Sequence, residues 1–404
     1  MPTAKPEHDL RVIGIVGAAH GGSHFFQLVL PPLFPALQAT FGVSFTELGL
    51  LASLLFATSG LCQTPAGFLV DRIGAARVLA CGLALLGSGA LVASVAPTYL
   101  ALLPAAVLLG LGNSVFHPAD YAILSQHVAP RRMARAFSVH TVGGTFGWAI
   151  APVLVAGIAV LPSWRTALLA CAIVGFALAA LVFANRATLE TVGHGSPVRG
   201  VASPLAGHLR LFTTAPILVC FAFFALQATS LTALQNFMPV SLHHLFGLDM
   251  VAATATVTAF MIGSAGGTLA GGVWADRSGR HQRIIAGGLA LAAIVLFVVG
   301  HVALPPPVLL AMVALAGALA GLTTPSRDML VRAAAPAGAS GKVFGFVYSG
   351  LDLGATLTPT IVGSLLDHGH AGAVFVLAPL AMAASILTAT SIPGRRADAA
   401  AAGT

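Results

Sequence analysis

Apolar residues run along this chain in twelve stretches of membrane-crossing length, separated by short polar loops, and nowhere with an alternation of period two. The stretches begin near Val12, Ser44, Ala76, Thr98, Ala134, Trp164, Thr214, Met250, His281, Pro306, Gly341 and Ala371. A helix needs about 20 predominantly apolar residues to cross the hydrocarbon of a bilayer. The missing period-two pattern, together with abundant Gly and Ala, argues for closely packed helices and against a transmembrane β-barrel. The pattern therefore predicts an all-α membrane protein of twelve transmembrane helices, numbered here as spans 1 to 12. The first stretch lacks the short apolar core and small-residue cleavage site of a signal peptide, so it is expected to remain as span 1.

The spans repeat. Pro118 and Pro152 lie 34 residues apart, and so do Pro325 and Pro359 about two hundred residues later. The same offset superposes Gly143 on Gly350 and Gly147 on Gly354. This predicts a tandem duplication into two six-helix bundles, 1–184 and 214–404. The segment 185–213 between them, rich in Gly, Ser, Pro and basic residues, reads as a flexible tether. Two similar bundles can rock about a shared central site, which is how a duplicated membrane protein moves a solute.

Composition strengthens the membrane reading: 57% of residues are hydrophobic and only 8% charged, against roughly 25% charged in a soluble domain. The formal net charge of +7 is not spread like a nucleic-acid footprint, since no basic patch is interleaved with aromatics. Lys5, Arg11, Arg72, Arg77, Arg131, Arg132, Arg135, Arg186, Arg199, Arg210, Arg277, Arg280, Arg283, Lys342, Arg395 and Arg396 all fall in loops or tails on one side; the opposite loops carry essentially only Arg165. The positive-inside rule then puts both termini and the linker in the cytoplasm, and a bacterial inner membrane is expected. Cys62, Cys81, Cys171 and Cys220 fall in apolar stretches without metal-type spacing and are expected to be buried free thiols. No His-Glu-x-x-His, Gly-x-Ser-x-Gly or phosphate-cradling Gly-Lys-Ser/Thr loop occurs, nor an extramembrane domain long enough to read a signal. A transporter is expected, not an enzyme or receptor, with no cofactor.

Each half carries one loop of the same type after its second span: Gly67-Phe-Leu-Val-Asp71-Arg72-Ile-Gly74, then Gly272-Val-Trp-Ala-Asp276-Arg277-Ser-Gly279. Glycine permits a sharp turn, and Asp at a helix end can pair with nearby arginines or with a neighbouring helix N-terminus. Occurring twice at equivalent places, the motif resembles that of the major facilitator superfamily. Three further segments are similar to its fosmidomycin-resistance group of efflux transporters. They are His20-Gly-Gly-Ser-His24 leading to Phe34-Pro35, Gly110-Leu-Gly-Asn-Ser-Val-Phe-His117-Pro118, and Val142-Gly143-Gly144 through Gly147 to Pro152. The resemblance implies a proton-coupled secondary transporter that works by alternating access and exports its substrate as an antiporter contributing to antibiotic resistance. Arg327 and the histidines make that substrate a small organic anion or drug-like molecule. A monomer is the default expectation, because one bundle of twelve helices can function alone. The resemblance also implies that spans 1, 4, 7 and 10 line the path and that Gly147 and Pro152 belong to an antiporter-type motif. The chain departs from the pattern at two places. Pro104-Ala105-Ala106 stands where many proton-coupled antiporters have an arginine, and His24 stands where the group tends to carry an acid.

Ionisable and amide side chains inside spans are costly unless they face a cavity or a partner, so they mark candidate sites. They are His20, His24 and Gln27 in span 1; Asn113, His117, Asp120 and Tyr121 in span 4; and His140 in span 5. The second half has Gln227, Gln235 and Asn236 in span 7, Arg327, Asp328 and Arg332 in span 10, and Tyr348 and Asp352 in span 11. His20, His24, Gln27, Asn113, His117, Gln227, Gln235, Asn236, Arg327 and Tyr348 are the expected substrate contacts. For Asn113, Gln227 and Asn236 an interhelical hydrogen bond is the competing expectation. His20 and His24, four apart, share a helix face and can relay a proton near neutral pH. With His117 they suggest a metal site, against which stands the lack of a neighbouring Cys or carboxylate.

Asp120 is the only acid deep in the first half by position and is the expected proton-coupling carboxylate, with Asp328 and Asp352 as the others. The competing expectation pairs Asp120 with Arg131 or Arg135. Arg327 offers the donor fork that fits a carboxylate or phosphonate; alternatively Arg327 pairs with Asp352, or Asp328 with Arg332, as a gate. Arg332 is expected to snorkel to the interface. Prolines at 31, 32, 35, 118, 152, 325 and 359 are expected to break or kink their helices. Proton-symport uptake of a small carboxylate is the alternative function, and transition-metal transport through His20 and His24 a more distant one.

Overall fold

The computed structural model describes residues 6–129, 132–160, 163–191, 213–278, 280–334 and 340–391. In chain order it forms α1 (Pro6–Gln27), α2 (Phe34–Phe41), α3 (Phe45–Ile73), α4 (Ala75–Ser94), α5 (Leu102–Asn113), α6 (Phe116–His127), α7 (Met133–Ala159), α8 (Trp164–Ala184) and the short α9 (Arg186–Leu189). There follow α10 (Ala215–Phe246), α11 (Met250–Ser278), α12 (His281–His301), α13 (Pro306–Leu322), α14 (Thr324–Ala334), α15 (Ser340–Asp367) and α16 (Val374–Ser391). Among the described residues, eleven stretches are long and apolar enough to cross a bilayer, and the 28-residue α15 occupies the place of span 11. The twelve-span all-α fold is the one the hydrophobic pattern predicts.

Prolines set the breaks. Span 1 divides into α1 and α2 around a 3-10 turn at Pro31–Leu33. Span 4 divides into α5 and α6 with Pro118 in the first turn of α6, and span 10 into α13 and α14 with Pro325 in the first turn of α14. A proline one turn into a helix leaves the carbonyl four residues earlier without its donor, and the chain reorients there. Pro152 and Pro359 lie inside continuous helices.

The chain divides into two compact units: Met1–Val198 with Asp249–Thr258 and Pro359–His368, and Arg199–Leu248 with Ala259–Thr358 and Gly369–Thr404. In the first, α1 packs on α7, α4 on α8 and α5, and α3 on α5. In the second, α10 packs on α16, and α12 on α13 and α16. The duplicated glycines explain the closest approaches. A Cβ on Gly143 would lie 2.6 Å from the carbonyl oxygen of Gly17, and one on Gly147 2.0 Å from that of Gly21, so α1 and α7 touch backbone to backbone. In the second unit a Cβ on Gly350 would meet Phe221 O at 2.5 Å and one on Gly354 would meet Ala225 O at 2.3 Å. The same glycine pair therefore performs the same task twice, as the lack of a hydrophobic drive between helices in lipid requires.

The first unit also contains a carboxylate cap. Ser44 and Glu47 form a reciprocal capping box at the start of α3. Asp367, at the end of α15, accepts hydrogen bonds from the backbone N–H of Phe45 and Thr46 at 2.7 Å each and from Thr46 Oγ1 at 2.5 Å. These are donors that the helix itself leaves unpaired. Asp367→Ala is expected to cost about 0.5–2 kcal/mol, the range for losing a helix cap, and to lower the thermal midpoint in detergent; an unchanged midpoint would deny the cap a stabilising role. The cysteine expectation is corrected in part: Cys171 and Cys220 are buried, but Cys62 is half-buried and Cys81 exposed. An apolar stretch in a membrane protein has a face toward lipid as well as a face toward protein, and hydrophobicity alone does not tell them apart.

Candidate functional site

Three helices of the first unit converge on Asp120. α1 brings His20 and His24, α6 brings His117 and Asp120, and α7 brings His140. Asp120 is fully buried, and its Oδ2 lies 3.1 Å from His20 Nδ1 and 3.1 Å from His140 Nε2. Its Oδ1 has no hydrogen-bond partner. The partners of Asp120 in the structure are thus histidines; the side chains of Arg131 and Arg135, its alternative partners, lie outside the described residues.

The rings of His20 and His140 stack with centroids 3.5 Å apart and planes at 22°. His24 lies 4.4 Å and His117 5.7 Å from His20, and Tyr121 lies 5.5 Å from His140, all between ring centroids. With Asp120 ionised, each ring donates from the nitrogen that faces Oδ2, which fixes His20 as the Nδ1–H tautomer and His140 as the Nε2–H tautomer. Two imidazolium charges about 4 Å apart would repel by about 4 kcal/mol at an effective dielectric constant of about 20. Gly144 makes room for the cluster: a Cβ there would lie 2.7 Å from His24 Nδ1 and 3.0 Å from His20 Cδ2.

Next to this cluster is a network that satisfies itself. His24 stacks on Trp148 at 4.1 Å. Trp148 Nε1 donates to Gln27 Oε1 at 2.9 Å, and Gln27 Nε2 donates to Asn113 Oδ1 at 3.0 Å. Ser23 Oγ donates to the same Asn113 oxygen at 2.7 Å, and Asn113 Nδ2 donates to Ser59 Oγ at 2.8 Å. Gln27 and Asn113 therefore hold α1, α3, α5 and α7 together through one another. His117 contacts Gln63 Oε1 through Nδ1 at 3.3 Å. His24 Nδ1 is buried without a partner.

His140, a candidate by its place in span 5 but given no role there, is the second donor to Asp120, and the signal for that role is its spacing: His140, Gly144 and Trp148 are four apart and share a face of α7. Asp9, absent from the candidates, is a second buried acid of the first unit. Asp9 is fully buried, and its Oδ2 accepts from Arg132 Nε at 2.7 Å and from Ala129 N at 3.1 Å. Its place in the first turns of α1, before the apolar stretch, hid its burial. The expected lack of a carboxylate near the histidine pair is corrected, since Asp120 is in contact with His20.

In the second unit Arg327 Nε pairs with its neighbour Asp328 at 2.9 Å, and Tyr348 donates to the same Asp328 oxygen at 3.2 Å. The guanidinium stands 4.6 Å from the centre of the Phe224 ring, a cation–π contact. Asp352 is half-buried on α15, without a hydrogen bond or ion pair among the described residues. The ion pair of Arg327 is thus with Asp328; the Arg332 side chain lies outside the described residues. Gln235 reaches Met261 Sδ at 3.7 Å, and Asn236 bonds Thr232 O of its own helix at 2.9 Å. Gln227 Nε2 and Asn236 Oδ1 are buried without partners, so this helix keeps polar atoms uncommitted.

The repeated loop motif closes α3. Asp71 and Arg72 are exposed, while Gly74 has φ +93° and no room for a side chain, since a Cβ would lie 1.9 Å from Glu190 Oε1. Glu190 and Thr191 bind this turn from beyond α8: Arg77 Nε is 3.9 Å from Glu190 Oε2, and Ala75 N donates to Thr191 Oγ1 at 3.1 Å. Gly67, Asp71, Pro118 and Ala122 line a cleft of about 270 Å³. In the second copy Gly272 faces open space and Arg277 is exposed; the Asp276 side chain and Gly279 lie outside the described residues.

Comparison with known proteins fits this architecture. The family model of the Major Facilitator Superfamily matches residues 16–257 and 225–403. The fosmidomycin resistance protein of Escherichia coli is 25% identical over 91% of this chain and 89% of its own length. An uncharacterized MFS-type transporter of Bacillus subtilis is 27% identical over 70% of this chain and 69% of its own. Among solved structures, a bacterial homologue of the human lysosomal transporter Spinster, inward-facing and unoccupied, superposes with a TM-score of 0.77 at 16% identity, covering 96% of this chain and 98% of that one. A duplicated set of twelve spans, the paired Gly-x-x-x-Asp-Arg-x-Gly loops and a family match along nearly the whole chain lead to one assignment: the protein is a multi-pass membrane transporter and belongs to the Major Facilitator Superfamily.

Proposed function

We propose that this transporter exports a small organic anion or drug-like molecule in exchange for protons, by alternating access of halves 1–184 and 214–404 joined through the 185–213 linker. Asp120 carries the reading: a carboxylate fully buried among histidines from three helices is a site for a transferable proton. Likeness to a fosmidomycin resistance protein along most of the chain supports export. Arg327 supports the anionic substrate, because exchange of Asp328 for a ligand carboxylate or phosphonate would keep its charge compensated. The arginine-bearing loops support a bacterial inner membrane with both termini in the cytoplasm. The protein is proposed to act as a monomer, since a single chain carries all of these residues.

Uptake of a small carboxylate with protons is the second reading. A probable L-galactonate transporter of Escherichia coli, 22% identical over 38% of this chain, favours it. Proteoliposomes of known protein orientation, loaded with a pH dye and held at controlled membrane potential, separate the two when phosphonates and small carboxylates are added outside. Substrate-dependent alkalinisation of the lumen, corrected for passive permeation, is expected for exchange; acidification would establish symport. Arg327→Ala is expected to weaken binding of the active compound by at least about tenfold, corresponding to the loss of one charge-assisted contact of about 1.5–3 kcal/mol. Unchanged affinity would leave Arg327 with a role in holding Asp328 only.

A further inference from the structure

We infer that the His20–Asp120–His140 cluster takes up one proton and not two, so that the cluster alternates between net charges of −1 and 0. This deepens the proton-coupled reading and rests on it for the consequence in transport, though not for the proton count itself.

The count follows from the geometry. Both rings aim at a single oxygen, Asp120 Oδ2, at 3.1 Å. With the carboxylate ionised and both rings neutral, the cluster holds one buried negative charge, and Oδ1 receives no donor to stabilise it. One added proton cancels that charge wherever it rests, on a ring or on the carboxyl. A second proton has no such place. Put on the other ring, it makes two imidazolium ions stacked at 3.5 Å; put on the carboxyl, it leaves an imidazolium without a counter-ion.

The surrounding groups do not relieve either arrangement. From α1 the cluster is faced by His24, from α6 by His117 and Tyr121, and from α7 by His140 itself, and none of these supplies negative charge near neutral pH. Among the described residues, Asp120 is the one carboxylate that pairs with His20 and His140. Four histidines around one acid look like a store for several protons, but the single carboxylate limits the store to one.

The consequence for transport is a fixed charge balance. One proton entering while one monoanion leaves moves two positive charges inward per cycle, and a neutral substrate moves one. Membrane potential therefore drives the exchange along with the pH difference.

The test counts protons on purified protein in detergent, without substrate. A weakly buffered acid jump from about pH 8.5 to about pH 5.5, spanning the ordinary histidine range, is compared between the wild type, Asp120→Asn and His140→Gln. The wild type is expected to bind one proton more per chain than Asp120→Asn. His140→Gln is expected to match the wild type apart from at most a small fraction of a proton, because Asp120 and His20 still hold the single proton. Should Asp120→Asn fail to give monodisperse protein, the His140→Gln comparison decides alone: the loss of a whole proton there means that each ring carries its own, and the inference falls. A difference of two protons or of none in Asp120→Asn overturns it too. So does zinc ion binding that releases protons from the wild type but not from Asp120→Asn, which would make the cluster a metal site. A one-proton count with no pH response in proteoliposomes would reject the coupled-transport reading and leave this inference standing; two protons with intact coupling would do the reverse.

Discussion

Asp120→Asn is expected to reduce pH-driven net transport to the level of empty proteoliposomes while leaving substrate exchange at equal pH in place. The amide has nearly the volume of the carboxyl, so the packing of α1, α6 and α7 around it has no cavity to fill. With its oxygen in the place of Oδ2, the amide accepts the N–H of both neutral rings through two lone pairs, as the carboxylate does. What is lost is the charge. An amide carries no transferable proton, and without the carboxylate there is no negative charge to hold a proton on His20 or His140. The measurement pairs net uptake or efflux under an imposed pH gradient with exchange of labelled substrate at symmetrical pH. If gradient-driven flux persists in the variant, coupling resides elsewhere, with Asp352, Asp328 and His24 the next positions to substitute. If both fluxes vanish, thermal stability distinguishes a misfolded protein from one in which Asp120 also contacts the substrate.

The parts of this site differ in how far the sequence reveals them, and the difference is geometric. Spacing along one helix is legible: His117 and Asp120, three apart, lie on one face of α6, and His20 and His24, four apart, on one face of α1. Spacing says nothing of the rotation of one helix about its axis relative to the next, and that rotation decides that Asp120 of α6 meets His20 of α1 and His140 of α7. Gln27 and Asn113 show the same limit from the other side. As an intramembrane amide, Gln27 reads as a substrate contact, and Asn113 as either that or an interhelical hydrogen bond; both spend their donors and acceptors on Trp148, Ser23, Ser59 and each other. Arg327 and Asp328 are adjacent in sequence, and adjacent residues point about 100° apart on an ideal helix; only the length and flexibility of the arginine let them meet at 2.9 Å. The twelve-span all-α fold, in contrast, is legible, because lipid imposes length and apolarity on each helix independently of its neighbours.

The duplicated glycines lead to the second large effect. Gly147→Ala is expected to destabilise the first unit by about 1–3 kcal/mol, the range for overpacking a tight interface, and to disperse the His–Asp cluster. A Cβ at this position would lie 2.0 Å from Gly21 O and 2.9 Å from Phe25 N. Both obstacles are backbone of α1, so no rotamer change relieves the clash and the two helices must move apart. α1 carries His20 and α7 carries His140, and their 3.1 Å contacts with Asp120 depend on that approach. Gly354→Ala supplies a matched comparison: its Cβ would lie 2.3 Å from Ala225 O, so it is expected to lower the stability of the second unit without disturbing the cluster. Gly157→Ala supplies the control on α7 itself, since a Cβ there meets nothing within 4 Å. In a helix interior that exchange gains up to about 1 kcal/mol. Thermal midpoints and monodispersity in detergent, with the proton count of each variant, read all three. Lower midpoints for Gly147→Ala and Gly354→Ala, with the proton lost only in the former, are the expected pattern. A Gly147→Ala protein as stable as Gly157→Ala would mean that α1 and α7 can separate without penalty, and the close backbone contact would then not be what positions His20 and His140 on Asp120.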